Sequence, residues 1–258
     1  MISIKSKREI ELMRKTARLA ASTLEYIEQF IKPGVSTLEL NDICHEYILK
    51  HDAYPSCLNY HGFPKSVCTS LNDVICHGIP SEKDVLKDGD ILNIDVTTFL
   101  GGFHGDTNKT YFVGEVAPEV KKLVEVTYEC MKEGIRTVKP GSHIGDIGAV
   151  IQEIAYDHGY SVVEEYCGHG IGREFHEAPQ VVHVGKKGTG EEVKPGMTFT
   201  IEPMINLGTR HCQLLSDNWT VITKDGKFSA QFEHTILVTD SGREVLTLRE
   251  SESASDFQ

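Results

Sequence analysis

Residues 86–95 read LKDGDILNID, and residues 193–202 read VKPGMTFTIE. Each passes from a glycine turn into an apolar, strand-like run, and each run ends on an acid. Asp95 and Glu202 lie 107 positions apart, and the same 107 separates IKPGVSTLEL, starting at Ile31, from VKPGSHIGDI, starting at Val138. Two matches at one spacing argue for a duplicated unit. Halves related by a pseudo-twofold would bring the two carboxylates face to face. Acids that close apolar strands need a compensating charge, and a pair of metal ions supplies it.

Working outward from these segments, each is preceded by two helices. Ser6 and Glu9 have capping-box spacing, and Ile10, Met13, Ala17, Ala20, Leu24 and Ile27 then recur at helical intervals. Pro33-Gly34 stops that helix. Ser36 with Glu39 starts a second, faced by Leu40, Ile43, Cys44, Tyr47 and Ile48. The later half predicts a helix over about 119–138 and another through Ile144, Ile147, Ile151 and Ile154, ended by Gly159. Residues 91–98 and 106–113 read as a hairpin about Gly101-Gly102, and residues 197–204 and 231–238 play those parts in the second half, with a longer excursion between them. The expectation is an α+β chain of one domain, 1–250, with halves of about 1–117 and 118–250 sharing one sheet and one core. The polar tail, 251–258, is expected to fray.

The 258 residues carry 38 acidic and 26 basic side chains, a net charge of −12 that argues against nucleic acid or an anionic membrane as the main partner. The seven cysteines are an odd number and form no CxxC, which argues against a disulfide framework or a zinc ribbon. The charged start, MISIKSKREIELMRK, lacks a signal-peptide core, and no stretch approaches a membrane span. A monomeric cytoplasmic protein is expected.

Asp95, Asp106, His169, Glu202 and Glu233 are the candidate metal ligands. Alternate residues of a strand share a face, so each hairpin can present two acids to one side. Singly, each acid reads as a solvated strand residue; the symmetric set does not. Four carboxylates and one imidazole form a hard, oxygen-rich set suited to Mn, Fe(II), Co or Zn in paired sites. His77, in CHGIP, and His176, in FHEAP, are further candidates, because imidazoles beside a metal centre donate hydrogen bonds or move protons. The glycines beside His77 and His169 are expected to let backbone approach a ligand closely.

YHGFPKSVCTSLNDVICHGIP, NIDVT, GFHGDT, CGHGIGREFHEAP, KPGMTFTIEPM and SAQFEHT together resemble type I methionine aminopeptidase in its short bacterial form, over about residues 3–249. The resemblance implies a pita-bread fold: two pseudo-symmetric halves with a central curved antiparallel sheet covered by helices. It implies two divalent metal ions, with Asp106 and Glu233 bridging them, Asp95 completing one and His169 with Glu202 the other. His77 and His176 match the family's substrate-contacting histidines, and Glu202 its general base. The methionine pocket carries over to Cys57, Tyr60, Phe63, Cys68, Phe175 and Trp219. Phe63 departs from the tyrosine common among bacterial relatives and puts fine substrate preference in doubt. The segment 72–74, with Ser229, resembles the family's structural monovalent-cation site.

The implied reaction is removal of the initiator methionine from nascent polypeptides when the second residue is small, by attack of a metal-bridged water on the first peptide bond. Nascent N-termini would be the partners, with a transient ribosome contact. Two other readings differ at visible features. A proline-specific peptidase of this fold would carry a large extra N-terminal domain. A non-catalytic relative would have lost metal ligands.

Overall fold

Helix order follows the caps. In the computed structural model, which describes residues 2–258, α1 spans Lys7–Ile27 and α2 spans Thr37–Lys50. Ser6 and Glu9 satisfy each other's end of α1, and Ser36 and Glu39 do the same for α2. In the second half α3 spans Pro118–Arg136 and α4 spans Ile144–Asp157. The repeat extends to single hydrogen bonds. Gly34 N–H donates to Leu86 O at 2.8 Å, and Gly141 N–H donates to Val193 O at 2.9 Å. Both pairs stand 107 positions apart, as do the isolated bridges Ser36–Val85 and His143–Glu192.

The strands differ more between halves. Ile91–Leu100 and Phe103–Phe112 form a hairpin paired along its full length, turning at Gly101 and Gly102, which both have positive φ. Tyr54–Pro55 and Cys68–Leu71 pair with the other edge of Ile91–Leu100. In the second half Thr198–Ile201 pairs with His234–Val238, and Met204–Asn206 pairs with Ser229–Gln231. Ile201 faces His234 and Met204 faces Gln231, so one register runs through both pairs. The expected unbroken strands, 197–204 and 231–238, are therefore interrupted at Glu202-Pro203 and Phe232-Glu233. Pro203 has no N–H to give the ladder at that gap. The register sets Glu202 opposite Glu233. Gly168–Gly170 and Glu177–Val181 extend the second-half sheet beyond Thr198–Ile201.

Side chains, rather than a backbone ladder, join much of the seam between halves. Thr107 Oγ1 donates to Glu233 O at 2.6 Å, Thr110 Oγ1 to Gln231 O at 2.7 Å and Thr235 Oγ1 to Asp106 O at 2.7 Å. The apolar packing is correspondingly divided, which corrects the expectation of one core. Leu24, Ile27, Leu40, Ile48, Leu92 and Ile94 make one cluster, and Leu123, Met131, Ile135, Ile147, Phe199 and Ile236 belong to another. A smaller group ties them: Met13 and Ala17 of α1 pack with Phe103, Ile171 and Leu237. That contact needs Gly105, where a Cβ would stand 2.5 Å from the Ala17 nitrogen.

The tail also departs from expectation. Residues Ala254–Phe257 form a 3-10 turn, and Phe257 is buried in the second-half cluster, its carbonyl accepting from Arg243 Nε at 2.7 Å. Burying one aromatic ring offsets the ordering of a short segment. Among the described residues no helix is long and apolar enough to cross a membrane, and all seven cysteines are free thiols.

Candidate active site

The seam is where the acids meet. Hairpin register puts Asp95 opposite Asn108, and Asp106 opposite Thr97. Asp106, Glu233 and His169 bring donor atoms within 4.8 Å of one another. His169 Nε2 lies 3.5 Å from Asp106 Oδ2 and 3.7 Å from Glu202 Oε1. Its Nδ1 lies 3.0 Å from the carbonyl of Gly170, which calls for a proton on Nδ1 and turns the Nε2 lone pair toward the acids. Asp95, Asp106, His169, Glu202 and Glu233 all line one cavity of about 280 Å³.

Polar neighbours hold these ligands from behind. Thr97 Oγ1 donates to Asp106 Oδ1 at 2.6 Å, Thr200 Oγ1 to Glu202 Oε1 at 2.7 Å and Asn108 Nδ2 to Glu233 Oε2 at 2.7 Å. Gln231 Nε2 reaches Glu202 Oε2 at 3.3 Å, and the Glu202 amide donates to His183 Nε2 at 3.1 Å. None of these supporting residues was singled out from the sequence. Two had a readable signal: Thr97 and Thr200 sit two positions from Asp95 and Glu202, on the same strand face. Asn108, Gln231 and His183 required the register.

The electrostatics point to a missing positive charge. Burial pushes Asp95 and Glu233 well above the usual carboxylate range, with Asp106 adding to both shifts. Burial raises Glu202 to about 7, opposed by His169. Burial disfavours a charged His169, but its contact with Asp106 and the charge of Glu202 outweigh that and raise its pKa. Asp95 Oδ1 and Glu233 Oε1 are buried without any hydrogen-bond partner. Orphaned carboxylate oxygens on two acids, beside two further acids and an imidazole lone pair, are the donor set of a divalent-cation site. The residues present fit that group.

The remaining candidates surround the acids. His77 and His176 both line the cavity. His77 holds a left-handed backbone, φ 56°, a conformation that costs energy for a residue with a Cβ, and burial lowers its pKa. Tyr60 Oη lies 2.7 Å from His176 Nδ1. Surrounding protein, together with His169, pushes the His176 pKa down to about 3. With the Tyr60 hydroxyl donating to Nδ1, a neutral ring would keep its proton on Nε2. Cys57, Phe63, Cys68 and Phe175 pack as one buried cluster edged by Tyr60 and Trp219. All six expected pocket residues thus meet, and Ile79 joins them unforeseen.

One expectation is corrected. The glycines beside the two histidines are filled by neighbouring backbone and not by open space for a ligand. A Cβ at Gly78 would stand 2.0 Å from Thr69 O, at Gly168 2.4 Å from Thr200 O, and at Gly170 2.1 Å from Ala178 O. These glycines pack the strands tightly enough to fix His77 and His169. Near the segment 72–74, Ser229 N–H donates to Asn72 O at 2.8 Å, so those residues do lie together.

Comparison with known proteins identifies relatives of the chain. Residues 11–240 match metallopeptidase family M24. The chain is 56% identical over 249 residues to methionine aminopeptidase A of Synechocystis sp., covering 96% of this chain and 98% of that one. It is 54% identical over 253 residues to methionine aminopeptidase of Escherichia coli (strain K12), covering 98% and 96%. The crystal structure of methionine aminopeptidase from Rickettsia prowazekii superposes with a TM-score of 0.95 at 53% identity, covering 96% of this chain and 100% of that one. The chain belongs to metallopeptidase family M24.

Proposed function

We propose that the protein is a methionine aminopeptidase that removes the initiator methionine from nascent polypeptides with a small second residue. The observation that carries this reading is a sulfur-and-aromatic slot opening directly onto a buried acid cluster. Cys57, Cys68, Phe63 and Phe175 offer an unbranched thioether a narrow apolar lining, with polarizable contacts at sulfur and ring. Occupied by divalent cations, the acids beside it would offer a Lewis-acidic anchor for a free α-amine and so favour a chain terminus over an internal bond.

Asp95, Asp106, His169, Glu202 and Glu233 would hold two divalent cations. Bound there, such ions supply Lewis acidity and a water of lowered pKa. The protein's own groups do the rest. His176, with its proton on Nε2, donates to the scissile carbonyl and stabilises the oxyanion as it develops. Glu202 takes the proton of the attacking water and returns it to the leaving amine. His77, which lines the same cavity, contacts the scissile amide nitrogen. The confined space between the halves limits the second residue to small side chains. The segment 72–74 beside Ser229 is the position for a structural monovalent cation.

The test is hydrolysis of Met-Ala-Ser and of Xaa-Pro peptides, with and without added Mn2+ or Co2+. The expected outcome is metal-dependent release of methionine from the first alone. Silence on both peptides with every metal would sink the proposal and favour a binding role.

A further inference from the structure

The loop that carries Phe175 and His176 is fastened to the far end of the chain. Lys5, just ahead of α1, meets the Glu177 carboxylate at 2.6 Å, with side chains 3% and 14% exposed. The arm is held by its backbone too, since Lys5 N–H donates to Gly196 O at 2.8 Å. The other oxygen of Glu177 accepts from the Glu174 amide at 3.3 Å, so one carboxylate joins the arm to both ends of segment 174–177. Gly172 makes room for the pair: a Cβ there would stand 2.6 Å from Glu177 Oε1 and 2.6 Å from Lys5 Cε. His104 N–H donates to Gly172 O at 2.8 Å, which anchors the loop to the first hairpin.

We propose that Lys5 is a positioning residue for His176, acting through Glu177. Lysine is seldom this buried, and a buried ion pair that loses one member leaves the other charge uncompensated. Without the ammonium, the Glu177 carboxylate turns toward water and releases the Glu174 amide. The ring of His176 stacks on Phe175 at 4.3 Å and meets Tyr60 at 2.7 Å, and both contacts depend on the course of that loop. The exposed pair Arg173–Glu9, at 3.1 Å, joins the same loop to α1 but is screened by solvent and adds little. The inference rests on His176 being the group that donates to the scissile carbonyl.

The experiment uses the full chain loaded with Zn2+, which is diamagnetic, and compares Lys5→Met, Lys5→Arg, Glu177→Gln and the double variant Lys5→Met/Glu177→Gln. A displaced donor can cost up to about 100-fold, so Lys5→Met is expected to lower kcat on Met-Ala-Ser by roughly 10- to 100-fold. KM and zinc content should change little, because the methionine slot and the acids are untouched. Lys5→Arg should recover most of the loss, and the double variant should be less impaired than the product of the single losses. The 15N signals of the His176 imidazole should shift in Lys5→Met and return in Lys5→Arg. Unmoved His176 signals in Lys5→Met overturn the proposal whatever the activity. So does a kcat loss that merely tracks zinc content or folded fraction. If the wild type itself cleaves nothing, the functional reading fails, while the imidazole signals still decide whether Lys5 sets the ring.

Discussion

In the first half, Asp95 and Asp106 stand on a hairpin paired without interruption, and each faces an uncharged partner, Asn108 or Thr97. In the second half, Glu202 and Glu233 face each other across a gap between two short strand pairs that keep one register. Like charges directly opposite are unfavourable. The first half thus keeps an unbroken ladder beside its acids and the second opens its ladder at them, while a cation would relieve both, since Asp95 Oδ1 and Glu233 Oε1 alike lack a hydrogen-bond partner. The same contrast runs through the loops. The first hairpin closes at Gly101-Gly102, whereas the second spans an excursion that supplies Trp219, and the neighbouring strand pair brings in His169 while its loop brings in Phe175 and His176. A duplicated scaffold has kept one copy regular and spent its irregularity on the other.

The largest effect that could break this contrast comes from the facing acids. Glu233→Gln should abolish detectable Met-Ala-Ser hydrolysis, a loss of at least about 10³-fold, together with one bound metal by elemental analysis. Retained activity would mean that the acids do not act as one unit. His77 comes from the first half but off its hairpin. His77→Ala should lower kcat by about 10²- to 10⁴-fold with metal content intact, as expected of a group that meets substrate rather than metal. Normal turnover in that variant removes its role.

Smaller effects sharpen the comparison. Asn108→Ala withdraws the first-half amide that holds Glu233, and Thr200→Val withdraws the hydroxyl that holds Glu202. Each should weaken metal binding by roughly 10- to 100-fold, measured by titration calorimetry. If only one does, the two halves do not support the site equally. The smallest effect is on stability. Glu202 is raised from 4.5 to about 7 in the folded protein, so between those values the native state binds more protons than the unfolded one. Stability of chelator-treated protein should therefore fall as pH rises through that window, and the raised Asp95 and Glu233 act in the same direction. The raised His169 acts in the same direction. Added Mn2+ should raise the melting temperature more at pH 8 than at pH 6, because binding must displace those protons. Hydrogen exchange should show the metal-free loss at Thr198–Ile201 and His234–Val238 before Ile91–Leu100. Equal loosening of both would erase the proposed asymmetry.

Much of this was legible before any coordinates. Ser6-Glu9 and Ser36-Glu39 announced α1 and α2, and 107-residue repetition announced their counterparts. The acids stood out because charged residues ending apolar runs are costly without a reason. Where reading fell short, the deciding contact was distant in sequence. The tail reads as polar, yet Phe257 finds a site among second-half residues. The glycines flanking His77 and His169 read as ligand clearance, yet the space at Gly78, Gly168 and Gly170 is filled by neighbouring strands.

The sequence by itself determined the helices, the duplication and the identity of the acids, since capping, periodicity and repeat spacing are properties of neighbouring or equivalent positions. Only the tertiary structure decided that the halves meet at a polar seam, that Glu202 faces Glu233 across a gap, and that Lys5 reaches Glu177. Those arrangements depend on strand register and on which surfaces pack. Register and packing are settled by the energy of the whole fold, and no local pattern encodes them.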